Sequence, residues 1–84
     1  MSHTWLITGA SSGLGASLAI AALKAGHKVI ATARNVSKAQ SDYPDVEKQG
    51  GKWIQLDVTK PDTETIVSKT VKDSNVDVLV NNAG

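Results

Sequence analysis

The 84 residues are 40% hydrophobic and 20% charged with a net charge of +1, a balance that fits one small globular domain of marginal stability and argues against disorder. No apolar run approaches the roughly 20 residues that a membrane-spanning helix needs. The chain has no cysteine, which removes disulfides, thiolate chemistry and cysteine-based zinc sites, and His3 and His27 are too few and too scattered to suggest a metal.

The first residues, MSHT, run into WLIT with no room for a charged n-region, an apolar h-region and a cleavage site, so a native start and a cytoplasmic location are expected. Thr4 to Thr8 (TWLIT) is an apolar run of strand length ended by Gly9. Gly13 to Ala25 (GLGASLAIAALKA) has the composition of a helix, with Gly26 placed to stop it. After Gly15 its only polar side chains are Ser17 and Lys24, seven apart on one narrow stripe, so burial on nearly every side is expected. Lys28 to Ala33 (KVIATA) reads as a second strand, left at Arg34 and Asn35. Val36 to Gln49 is polar and interrupted by Pro44, which predicts a short helix, a break and one more turn before Gly50.

Lys52 to Val58 (KWIQLDV) is the third predicted strand. Thr59 with Asp62 three residues on resembles a capping box, so the next helix is expected to start there and run to about Lys72, with Ile66, Val67, Thr70 and Val71 facing a sheet. Val76 to Val80 (VDVLV) is the fourth strand. Strands that alternate with helices over short connections, and that are themselves nearly continuously apolar, predict a doubly wound α/β fold. Its parallel sheet of about four strands would have the order 3-2-1-4. The crevice between strands 1 and 4 is then the topological switch point, where ligands bind in such sheets.

Charge is unevenly spread: residues 1–41 hold Lys24, Lys28, Arg34 and Lys38 and no acid, whereas the remainder holds five lysines and eight acids. The cations are not clustered and lack interleaved aromatics, so a small anionic ligand fits better than nucleic acid or a membrane surface. The stretch TGASSGLG, from Thr8 to Gly15, lies between the first strand and the first helix. Pyrophosphate needs convergent backbone N–H groups at a helix N-terminus, and side chains at Gly9, Gly13 or Gly15 would obstruct the turn, the ligand or the packing of helix on strand. Ser11 and Ser12 add hydroxyl donors, and no side chain in the turn exceeds Leu14 in size. Glycines also end strands and start helices for conformational reasons alone.

TGASSGLG resembles the TGxxxGxG motif of the short-chain dehydrogenase/reductase family, and NNAG at Asn81 to Gly84 resembles that family's second motif, at the end of its fourth strand. LDVT at Leu56 to Thr59 resembles a third landmark. The three occur in the family's order and cover the chain from end to end. The resemblance implies a Rossmann-type fold, with residues 1–84 as the N-terminal portion of a single NADP-binding domain. It also implies an oxidoreductase that interconverts a small-molecule carbonyl and alcohol by hydride transfer. By the same resemblance Asp57 meets the adenine with Val58 beside the ring, and Asn82 and Ala83 lie nearest the nucleotide. An aspartate at a strand end also commonly starts a turn or caps the next helix; with Thr59 expected as the cap, Asp57 is left for the base.

A site selective for NAD carries Asp or Glu about 20 residues after the glycines, to accept hydrogen bonds from the ribose 2′-OH. Here the second strand ends in TARN and no acid precedes Asp42, so Arg34 is positioned to attract a 2′-phosphate and NADP is the expected cofactor. Arg34 can also be read as a solvated loop cation, and Lys38 as a surface lysine. The family's catalytic tyrosine and lysine lie beyond the NNAG motif. The one tyrosine here, Tyr43, is followed four residues on by Glu47, which would raise a phenol's pKa, so no catalytic residue is expected in this chain. The expectation is therefore an amino-terminal part of something longer, inactive alone, with an exposed fourth strand, and homo-oligomeric only if the remaining half is present. A regulatory nucleotide-binding protein of the same fold, or a small interaction module, are the alternatives.

Overall fold

The computed structural model describes residues 2–10, 13–57 and 59–81. In chain order the elements are β1 (Thr4–Thr8), α1 (Gly13–Lys24), β2 (Lys28–Ala33), α2 (Val36–Asp42), α3 (Pro44–Lys48), β3 (Lys52–Gln55), α4 (Thr63–Asp73) and β4 (Val78–Asn81). All pairings are parallel and the strand order is β3-β2-β1-β4, with Leu6 aligned with Ile30 on one side and Leu79 on the other. Both the class and the order are those the sequence predicts.

Alternation along the strands builds two unequal faces. Ile7, Val29, Ala31, Ala33 and Trp53 join Ala19, Ala22, Leu23, Ala39 and Val46 in one buried core, on the face covered by α1, α2 and α3. The alanines on both sides of this contact let α1 lie close to the sheet. Leu6 and Ile30 point the other way and are buried too. There a groove of about 210 Å³ separates Ile30 and Ile54 from Lys69, Thr70 and Asp73 of α4, whose Ile66, Val67, Thr70 and Val71 are half-buried as their spacing predicts.

Helix α1 departs from the expectation of burial on nearly every side. Leu14, Ser17, Ala21 and Lys24 form an exposed stripe, and burial is confined to Gly15, Ala16, Ala19, Ala22 and Leu23. Composition misled because alanine is apolar yet small enough to face water at little cost. The end of α1 is as read: Gly26, at φ 92, donates to the Leu23 carbonyl (3.0 Å) while His27 N–H donates to that of Ala22 (3.1 Å), the paired bonds of a Schellman motif. The predicted break at Pro44 separates α2 from α3.

Three boundaries differ from the sequence reading. β3 stops at Gln55, although Leu56 N–H still reaches the Ala33 carbonyl (3.0 Å), because Asp57 turns its carboxylate back onto Thr59. For the same reason the capping box does not form: Thr59 is held by Asp57, and α4 begins at Thr63 with Asp62 as an N-cap that makes no side-chain bond. β4 begins at Val78 because the Asp77 carboxylate takes the Thr4 N–H (2.9 Å) and its own N–H reaches the Thr4 carbonyl (2.9 Å).

Candidate functional site

A parallel sheet delivers the ends of all its strands to one edge, and here that edge receives Gly9 after β1, Arg34 after β2 and Leu56-Asp57 after β3. The turn after β1 requires glycine at its first position, since Gly9 has φ 63. Its N–H donates to Thr32 Oγ1 (3.2 Å) and the next N–H, of Ala10, to the Thr32 carbonyl (3.0 Å). On the other side of β1, Thr8 Oγ1 donates to the Val80 carbonyl (3.3 Å). The loop is thus tied to both neighbouring strands.

Gly13 opens α1, and its glycine identity is explained neither by conformation nor by packing. Its φ is not in the left-handed range, and among the described residues a methyl group built on it meets no atom within 4 Å beyond its chain neighbours and its own helix backbone. Helices disfavour glycine, so a residue with room for a side chain has been left bare at the helix mouth, where N–H groups lack intrahelical partners. That is the space a phosphate needs to approach the backbone. Beside it, Leu14 is 75% exposed, a large apolar group standing in water at the same rim. Gly15 is buried, in keeping with its expected role in packing helix on strand. Ser11, Ser12, Val58, Asn82 and Ala83, also expected to bind cofactor, lie outside the described residues.

Arg34 is exposed, makes no ion pair among the described residues, and borders two adjoining grooves. One, of about 180 Å³, is formed with Asn35, Lys38, Ala39 and Asp42. The other, of about 280 Å³, is formed with Gln55, Leu56, Asp57, Lys60, Asp62 and Ile66. In the first groove two groups are already engaged: Asn35 Oδ1 accepts the Lys38 N–H (3.1 Å) as the cap of α2, and Lys38 Nζ lies 3.9 Å from Asp42. Arg34 is the cation left without a carboxylate in that groove.

In the second groove Asp57 Oδ1 accepts both the Thr59 hydroxyl (2.6 Å) and the Thr59 N–H (2.9 Å). These two bonds hold the Asp57 carboxyl below its ordinary pKa against an opposing cost of desolvation, with Arg34 and then Lys60 adding smaller effects in the same direction as the bonds. Asp57 therefore both shapes the turn, which the sequence left as an alternative, and lines the groove. Two groove residues that the sequence does not mark are Ile66, which gives this groove an apolar wall, and Lys60, a second cation in it. Ile66 shows only a helical spacing, which marks it as a core residue and hides its position at a rim.

The grooves offer what a nucleotide asks for: an apolar wall for a base, a carboxylate for an exocyclic amine and a guanidinium without an ion-pair partner among the described residues. Tyr43 stands apart, packed against the core between α2 and α3. No helix among the described residues is long and apolar enough to cross a membrane.

Comparison with known proteins agrees with this arrangement. Residues 3–84 match the family model described as short chain dehydrogenase. Oxidoreductase claN of Passalora fulva is 55% identical over 84 residues, which are all of this chain and 38% of that protein. The 3-oxoacyl-acyl-carrier-protein reductase FabG of Vibrio cholerae is 43% identical over 81 residues, covering 94% of this chain and 33% of its own length. A short-chain dehydrogenase from Streptomyces avermitilis superimposes on the whole chain with a TM-score of 0.81 and 41% identity, over 31% of its length. The chain thus spans about a third of the length of the relatives it matches, and with the family model matching residues 3–84 it belongs to the short-chain dehydrogenase family.

Proposed function

We propose that this chain is the cofactor-binding part of an NADP(H)-dependent oxidoreductase that interconverts a small-molecule carbonyl and an alcohol. The observation that supports NADP(H) most directly is Arg34: a guanidinium without an ion-pair partner among the described residues, at the end of β2 and at the junction of two grooves. A carboxylate at this place would accept hydrogen bonds from a ribose 2′-OH and repel a 2′-phosphate, whereas a guanidinium can hold that phosphate with two parallel bonds. Asp57, Leu56 and Ile66 would then hold the adenine in the larger groove, and Gly13 would admit the pyrophosphate to the backbone. The bound nicotinamide supplies the hydride chemistry; the residues of this chain bind and orient it.

Within residues 1–84 no Tyr-x-x-x-Lys is present, so the chain by itself is proposed to bind cofactor without turnover. The test is a pair of titrations of the 84-residue chain with NADPH and NADH, followed by tryptophan fluorescence. Tighter binding of NADPH is expected, and equal affinities or a preference for NADH would refute the assignment of Arg34.

A further inference from the structure

Thr32 is 1% exposed, in the penultimate position of a strand whose other buried residues are aliphatic. A hydroxyl placed there costs stability unless it is bonded, and valine would satisfy a parallel strand better. Its Oγ1 accepts the Gly9 N–H (3.2 Å), and its carbonyl accepts the Ala10 N–H (3.0 Å). One residue of β2 therefore fixes two successive amides of the turn in which Gly9 takes up φ 63. Those two amides face inward and are not the ones that meet a ligand; they set the direction in which the chain leaves β1 and so where α1 begins, at Gly13.

We propose that Thr32 is a positioning residue for pyrophosphate, acting through Gly9 and Ala10, in the cofactor site proposed above, on which this assignment rests. Thr32 precedes Arg34 by two residues on the same strand end, so β2 holds the glycine turn and the 2′-phosphate cation at a fixed spacing. The hydroxyl governs only the first of these. Pyrophosphate is common to NADPH and NADH, so loss of the hydroxyl weakens both by the same factor and leaves their ratio unchanged.

The experiment compares the 84-residue wild-type chain with Thr32→Val, which keeps the β-branched shape, and Thr32→Ser, which keeps the hydroxyl. Each is checked for folding by circular dichroism and titrated with both dinucleotides. Thr32→Val is expected to bind each about tenfold more weakly, the worth of roughly one hydrogen bond, and Thr32→Ser to restore binding. Unaltered binding by folded Thr32→Val, a changed NADPH to NADH ratio, or failure of Thr32→Ser to restore affinity would overturn the role. A wild-type chain that binds both dinucleotides equally refutes Arg34 and leaves Thr32 standing if the valine and serine variants behave as stated. A wild-type chain that binds neither removes the cofactor site, and Thr32 with it.

Discussion

Gly13→Ala separates folding from binding at the helix mouth. Among the described residues the added methyl meets no atom within 4 Å beyond its chain neighbours and its own helix backbone, and the backbone conformation is one that alanine adopts. Alanine is favoured over glycine in a helix interior by about 1 kcal/mol and less in a first turn, so stability should hold or rise, by up to about 5 °C in Tm for a domain of this size. A phosphate oxygen bonded to a backbone amide sits at about 2.9 Å from the nitrogen, and a neighbouring methyl forces it outward. Hydrogen bonds to charged groups are worth about 1.5–3 kcal/mol each, so losing one predicts NADPH binding weaker by about 10- to 100-fold. Thermal melts followed by circular dichroism give the first quantity and fluorescence titration the second. Binding by Gly13→Ala as tight as wild type would show that the bare position serves no ligand, and a Tm that fell in step with affinity would show that it serves packing.

Gly51 is the opposite case: a methyl there would come within 2.8 Å of both the carbonyl oxygen and Cγ1 of Val46 and 3.0 Å of Leu23 Cδ1. Gly51→Ala should therefore cost about 1–3 kcal/mol by overpacking, visible as a lower urea midpoint; an unchanged midpoint refutes the crowding. Arg34→Asp supplies the carboxylate that suits a 2′-OH, and dinucleotide preference should invert toward NADH, whereas a retained NADPH preference would place the discrimination elsewhere. The lowered Asp57 pKa, caused first by the Thr59 hydroxyl and then by its N–H, favours the ionised carboxyl in the folded chain. Its contribution to stability is complete above the ordinary aspartate pKa of about 3.9 and disappears as the pH falls through the lowered folded value. Urea unfolding of wild type between pH 5 and 2 should thus lose stability more steeply than that of Asp57→Asn, and parallel curves would refute the linkage.

What could be read from the residues was whatever depends on near neighbours. Gly26 ends α1 and Pro44 divides α2 from α3 because each acts on its own backbone. The strand order followed from alternation of elements and the handedness of crossovers. What escaped depends on partners distant in sequence or on competition between equal local motifs. Thr59 and Asp62 satisfy the spacing of a capping box, yet Asp57, two residues earlier, wins the Thr59 hydroxyl and N–H together. Thr32 bonds across 23 positions to Gly9, and nothing in KVIATA distinguishes that threonine from a residue chosen for strand propensity. Ile66 becomes a groove wall only once β2 and β3 have brought Arg34 and Leu56 beside it.

The place of β1 between β2 and β4 carries a kinetic consequence. β1 is synthesised before the other three strands, and its β4 neighbour lies more than 70 positions later, as the Thr4 to Asp77 bond records. Residues added at about 5–20 per second leave Trp5, Leu6 and Ile7 with one open side for several seconds during translation. In that interval the nascent chain presents an apolar strand with unmet amides, a target for holding chaperones and a seed for mispairing.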